Sequence, residues 1–153
     1  MSQRGGDVMS CLRLSSEPIA SDLIPMGKAD LIVALEPMEA LRHIDWLAPT
    51  GRIVTSTVPF VNIPNYPDSE KLLATLRSLP GTVAFDMEAV AKEKATLRAS
   101  NMVLLGAASP YIGLEPEQIC GGIEAVFAPK GEKMVETNIA AFHAGRQTAL
   151  EQQ

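Results

Sequence analysis

Gln3-Arg4-Gly5-Gly6 is the stretch of this sequence best equipped to hold a ligand. Two adjacent glycines let backbone N–H groups turn toward one point, and the neighbouring guanidinium and carboxamide add fixed charge and further donors. Such a set suits an anion or the polar edge of a cofactor. The same four residues also read as a terminal loop whose arginine binds nothing, and composition alone favours that plainer reading. Glu36 and Thr57 are further candidates. Each stands at the end of an expected parallel strand, where the ligands of parallel sheets collect. Asp86 also ends an expected strand and could meet a ribose hydroxyl, although capping the next helix is the more ordinary use of such an Asp.

Other chemistries find few of their parts. His43 and His143 lie far apart, neither has a second ligand at helical spacing, and no CxxC or HExxH occurs. They read as partly exposed helix histidines, and no metal ligand is assigned. There is no GxSxG nucleophile elbow and no GxGxxG dinucleotide loop, so no catalytic residue is assigned either. The 2 cysteines, Cys11 and Cys120, read as small packing residues in a strand and a helix. They make no disulfide framework and are too few for an iron–sulfur cluster, which usually takes four thiolates. Ser109-Pro110 and Gly121-Gly122 read as helix-boundary and close-packing features.

The elements that must position these residues follow from hydrophobic period and punctuation. Residues 1–7 read as a loop, and Val8 to Leu14 alternates in the manner of a strand. A connection with Pro18, Pro25 and Gly27 follows. Leu31 to Leu35 suits a short strand buried on both faces. Pro37 then opens a helix carrying Met38, Leu41, Ile44 and Leu47, closed by Pro49 and Gly51. Arg52 to Thr57 is β-branched and strand-like. Asp68 caps a helix with Leu72, Leu73, Leu76 and Leu79 on one stripe, and Thr82 to Phe85 is a further strand. Repeated strand–helix–strand steps imply a parallel sheet. The last third reads as helices: Met87 to Lys94, a buried Asn101 to Ala108, one opened by Pro116 with Ile119, Ile123 and Phe127 inward, and one from about Val135 to Leu150.

At 153 residues the chain suits one domain, and 46% hydrophobic against 20% charged residues marks it as globular. A net charge of -5, with basic residues scattered among acidic ones, argues against a nucleic-acid partner. No apolar run approaches the ~20 residues of a bilayer span. The polar N-terminus has no signal-peptide core, so cytoplasm is the expected compartment.

The wording of the chain carries more than its totals. Met1 to Val8, Leu23-Ile24-Pro25, Gly27 to Asp30, Ala34 to Leu41, Tyr66-Pro67-Asp68, Asn101 to Ala107, Gly131-Glu132-Lys133 and Asn138 to Gly145 form an ordered series over the whole chain. It resembles the gamma family of 2-oxoacid:ferredoxin oxidoreductases, most of all the branch acting on aryl pyruvates such as indolepyruvate. The resemblance implies a three-layer α/β/α Rossmann-like domain with a mostly parallel sheet over residues 1–153. It implies a small, non-catalytic subunit beside a large thiamine-binding subunit, in a heterodimer or higher assembly. That partner would hold thiamine diphosphate and iron–sulfur clusters, with coenzyme A as co-substrate and ferredoxin as acceptor. Family members carry a Gly-rich strand–loop–helix unit before the segment matching Met1 to Arg4, so the domain is expected to be incomplete at its N-terminus. Thr55-Ser56-Thr57 departs from the Asn-Thr often found there. In this setting Gln3, Arg4, Gly5 and Gly6 would help shape the thiamine or coenzyme A pocket, with Glu36 and Thr57 as lesser contributors. The rival expectations are a nucleotide-binding module and a structural homodimeric remnant.

Overall fold

The structure, a computed structural model, describes residues 9–61 and 64–152. Three strands form one sheet in the order β1-β2-β3, with β1 at Ala29–Ala34, β2 at Leu47–Ser56 and β3 at Thr82–Phe85. Both pairings are parallel, with Ile32 opposite Ile53 and Val54 opposite Val83. The crossovers contain helices α1 (Pro37–Arg42) and α2 (Ser69–Ser78). After β3 come α3 (Met87–Lys94), α4 (Ser100–Ala108), α5 (Pro116–Phe127) and α6 (Glu132–Leu150).

Side-chain alternation along the central strand explains the layering. Ile53 and Val54 are neighbours in β2 and point to opposite faces, yet both are fully buried. Ile53 packs with Ile32, Ala40, Leu72 and Leu76 beneath α1 and α2. Val54 packs with Val83, Met87, Val103 and Ala107 beneath α3 and α4. Helix α6 lies across α4, with Ala141 and Phe142 fully buried. Helices on both faces of a parallel sheet make the three-layer α/β/α arrangement implied by the sequence.

Local chemistry sets the helix starts. Asp68 accepts the Lys71 amide (2.9 Å) and Asp86 the Ala89 amide (2.8 Å), so each satisfies a first-turn donor that has no partner within its helix. Asp86 is therefore a cap, as its position suggests. In α5, Glu115 and Gln118 form a reciprocal capping box. Pro37 and Pro116 stand in the first turn, where a missing N–H costs nothing.

Four expectations need correction. Met9 to Leu14, the described part of the expected first strand, is not a strand, and Met9, Leu12 and Leu14 are exposed. Alternation makes a strand only where a neighbour takes its hydrogen bonds, and no described strand lies outside β1. Nor is β1 buried on both faces: Ile32 is buried against the α1–α2 layer, whereas Val33, its neighbour on the opposite face, remains 46% exposed. The helix opened by Pro37 ends at Arg42; Ile44–Trp46 is a 3-10 turn and Leu47 already belongs to β2. Pro49 and Gly51 mark a bulge instead: Ala29 pairs with Leu47 and Leu31 with Arg52, so β2 carries extra residues there. Gly121 and Gly122 are not close-packed, because a side chain at either would meet open space.

Candidate functional site

The carboxyl ends of the three strands lie side by side. Glu36 stands two positions beyond Ala34 and Thr57 two beyond Thr55, and Ala34 and Thr55 are paired. The sheet thus brings Glu36 and Thr57 to one edge, where the sequence placed them separately. The Thr57 amide donates to the Phe85 carbonyl (3.0 Å), which anchors the start of the next connection to β3. One residue earlier, the buried Ser56 hydroxyl accepts the Val58 amide (3.1 Å) and turns the chain.

The Glu36 carboxylate accepts hydrogen bonds from three described donors. One carboxylate oxygen accepts the Glu39 amide (2.9 Å) and so caps α1. The other accepts the Phe60 amide (3.4 Å) and the Tyr66 hydroxyl. Burial, then the hydrogen bond to Glu36, then the negative charges of Glu36 and Glu39 push the Tyr66 hydroxyl pKa upward, and Arg42 opposes them only in part. The hydroxyl therefore stays protonated and donating at any physiological pH. Tyr66 was not among the candidates, since nothing in its neighbourhood in sequence points to a residue 30 positions earlier.

A cleft of about 370 Å³ opens along the side of β1 that no described strand covers. Its walls include Cys11, Ile24, Leu31, Val33 and Leu35, with Glu36 at the strand's end. It is mainly apolar and would suit an apolar group with one polar end near Glu36. Gln3, Arg4, Gly5 and Gly6 lie outside the described residues.

Away from this edge, Cys120 Sγ lies 3.7 Å from His143 Nε2 across the α5–α6 contact. Such a pair is invisible in sequence. It is not an activated nucleophile, because burial and the nearby Glu117 raise the thiol pKa. His143 is a helix residue, and His43 closes α1 as its C-cap. Among the described residues no group of three or more His, Cys, Asp and Glu side chains could hold a metal ion. The 2 cysteines of the sequence do not fit an iron–sulfur cluster. No helix among the described residues is long and apolar enough to cross a membrane.

Comparison with known proteins places this arrangement. The sequence profile of the pyruvate ferredoxin/flavodoxin oxidoreductase family matches residues 1–148. The chain belongs to that family. Among its relatives, the indolepyruvate oxidoreductase subunit IorB of Thermococcus kodakarensis is 34% identical, over 99% of this chain and 78% of that protein. The protein of the same name from Methanothermobacter thermautotrophicus is 31% identical, over 99% of this chain and 79% of that one. In fold, the chain is similar to a 2-oxoglutarate:ferredoxin oxidoreductase from Magnetococcus marinus solved with 2-oxoglutarate, coenzyme A and succinyl-CoA bound. The TM-score is 0.63 at 24% identity, over 90% of this chain and 22% of that much longer chain. As a family member, this chain is a subunit-type component of 2-oxoacid oxidoreduction with the α/β Rossmann-like fold that the sequence implied.

Proposed function

We propose that the chain is the small subunit of an indolepyruvate-type 2-oxoacid:ferredoxin oxidoreductase and works only beside a larger polypeptide. The observation that carries this reading is the 34% identity to an indolepyruvate oxidoreductase subunit across 99% of the chain. The reaction converts an aryl pyruvate carboxylate and the coenzyme A thiol into acyl-CoA, carbon dioxide, one proton and two electrons. Ferredoxin takes the electrons. Thiamine diphosphate supplies the electron sink for decarboxylation.

The inventory of this chain supports such a division of labour. Glu36 and Asp86 are both engaged as helix caps, and Cys120 is held as a thiol. On this reading thiamine diphosphate and the iron–sulfur clusters belong to the large subunit. The small subunit contributes one gamma-type domain, residues 1–153, with Gln3, Arg4, Gly5 and Gly6 toward the shared pocket and Glu36 and Thr57 on the carboxyl edge of the sheet. Arg4 supplies fixed positive charge for a phosphate or carboxylate, as coenzyme A or a 2-oxo acid would present. The assembly is cytoplasmic, where thiols such as Cys11 and Cys120 stay reduced.

Co-expression with a thiamine-binding large subunit tests the reading. The two polypeptides should co-purify in a fixed ratio. A chain that purifies alone as a homodimer, or that binds nucleotides by calorimetry without any partner, would displace it.

A further inference from the structure

Three helices that follow strands of this sheet start at an acidic cap, and one of the three caps has the wrong length. Asp68 and Asp86 serve α2 and α3 with the short side chain that capping prefers, and each accepts one amide. The cap of α1 is Glu36, one methylene longer, and longer than capping requires. Its extra reach is used. The oxygen not engaged with Glu39 meets the Phe60 amide and the Tyr66 hydroxyl, 24 and 30 positions away in sequence. Three donors thus converge on one side chain. Only a carboxylate accepts all three, since a carboxamide must turn an N–H toward one of them.

The consequence is positional. Phe60 and Val61 are 62% and 64% exposed, yet the chain at Phe60 is tied to the start of α1. The Thr57 amide anchors the same connection to β3. The chain beyond the end of β2 is therefore held at both sides of the carboxyl edge, the side on which parallel sheets bind their ligands.

We propose that Glu36 and Tyr66 are positioning residues of the assembled enzyme: Glu36 fixes the chain at Phe60 and Tyr66 across the carboxyl edge of the sheet, and substrate binding in the complex depends on that placement. This rests on the reading that the chain works beside a large thiamine-binding subunit. Neither residue touches the reacting atoms. Their effect falls on KM for coenzyme A or for the 2-oxo acid, and kcat is spared.

Glu36→Asp separates the two uses of this residue, because it keeps an acidic cap and loses the reach. Tyr66→Phe removes only the hydroxyl. In the complete complex each variant should raise KM for at least one of the two substrates about tenfold, with kcat within about twofold. The double variant should be no worse than Glu36→Asp alone, because both remove one interaction. In the free chain, hydrogen exchange at the Phe60 amide should be slow in the wild type and fast in Glu36→Asp. Unchanged KM values for both substrates, or fully additive effects, would overturn the positioning role and leave the subunit assignment standing. A wild-type complex without any activity would overturn the assignment itself, and this inference with it.

Discussion

A side chain at Gly106 of α4 would overlap the carbonyl oxygen of Phe142 in α6. The relationship is reciprocal, because a side chain at Gly145 of α6 would overlap the carbonyl oxygen of Val103 in α4. The two helices cross with their backbones in contact, and this crossing sits directly behind the sheet that presents Glu36 and Thr57. Gly106→Ala and Gly145→Ala must push the helices apart. Each should cost about 1–3 kcal/mol or more, which lowers Tm by about 2–4 °C per kcal/mol in a domain of this size. Gly121→Ala in α5 is the matched control. It adds a methyl group in open space and should stabilise by about 0.5–1 kcal/mol. Thermal melting of the three variants checks the opposite signs.

Asp86 separates capping from ligand binding. Its carboxylate accepts the Ala89 amide at 2.8 Å, so Asp86→Ala should lower stability by about 1 kcal/mol. The same variant should leave KM for coenzyme A unchanged in the complex. A large rise in that KM with unaltered stability would restore the ribose-binding role.

How much of this was legible in sequence depends on the range of the interaction. The strand Thr82–Phe85 and the helix Met87–Lys94 were readable to the residue, because Gly81 and Asp86 punctuate them locally. Asp68 announced α2 in the same way. The strand expected at Val8 to Leu14 failed because pairing, unlike alternation, is not a local property. The helix run through Leu47 failed because apolar spacing cannot distinguish a last helical turn from the start of a bulged strand. At the site, Glu36 and Thr57 were legible as strand ends. The bonds from Glu36 to Phe60 and Tyr66, and the glycine contacts between α4 and α6, were not, since each is made by residues distant in sequence.

Tyr66 gives the fold a pH dependence with a definite sign. Its hydroxyl pKa is raised by burial first and by its bond to Glu36 next. A tyrosine in the unfolded chain titrates near about pH 10. Below that value both states keep the proton, and the full contribution to stability is present. As pH rises above it, the unfolded chain ionises first, so stability falls until the folded hydroxyl also loses its proton. Chemical denaturation between about pH 9 and 11.5 should show this decline in the wild type. Tyr66→Phe should flatten it. An unchanged slope in the variant would assign the decline to other groups.

Arg4 is proposed to supply charge to the shared pocket. Arg4→Ala should reduce kcat/KM of the assembled enzyme by about 10- to 100-fold, the loss of a charge-assisted hydrogen bond of about 1.5–3 kcal/mol. The melting temperature of the free chain should not move. Equal kinetics in wild type and variant would remove Arg4 from the pocket.

The dependence of this chain on a companion polypeptide is measured most directly by decarboxylation of indolepyruvate with coenzyme A and a ferredoxin-type acceptor. The purified chain, a purified large thiamine-binding subunit and their mixture are assayed in parallel. Carbon dioxide and reduced acceptor should appear in the mixture, rising to saturation as the chain is added, and the chain alone should be inert. Turnover by the chain alone, or a large subunit whose rate ignores it, would contradict the account.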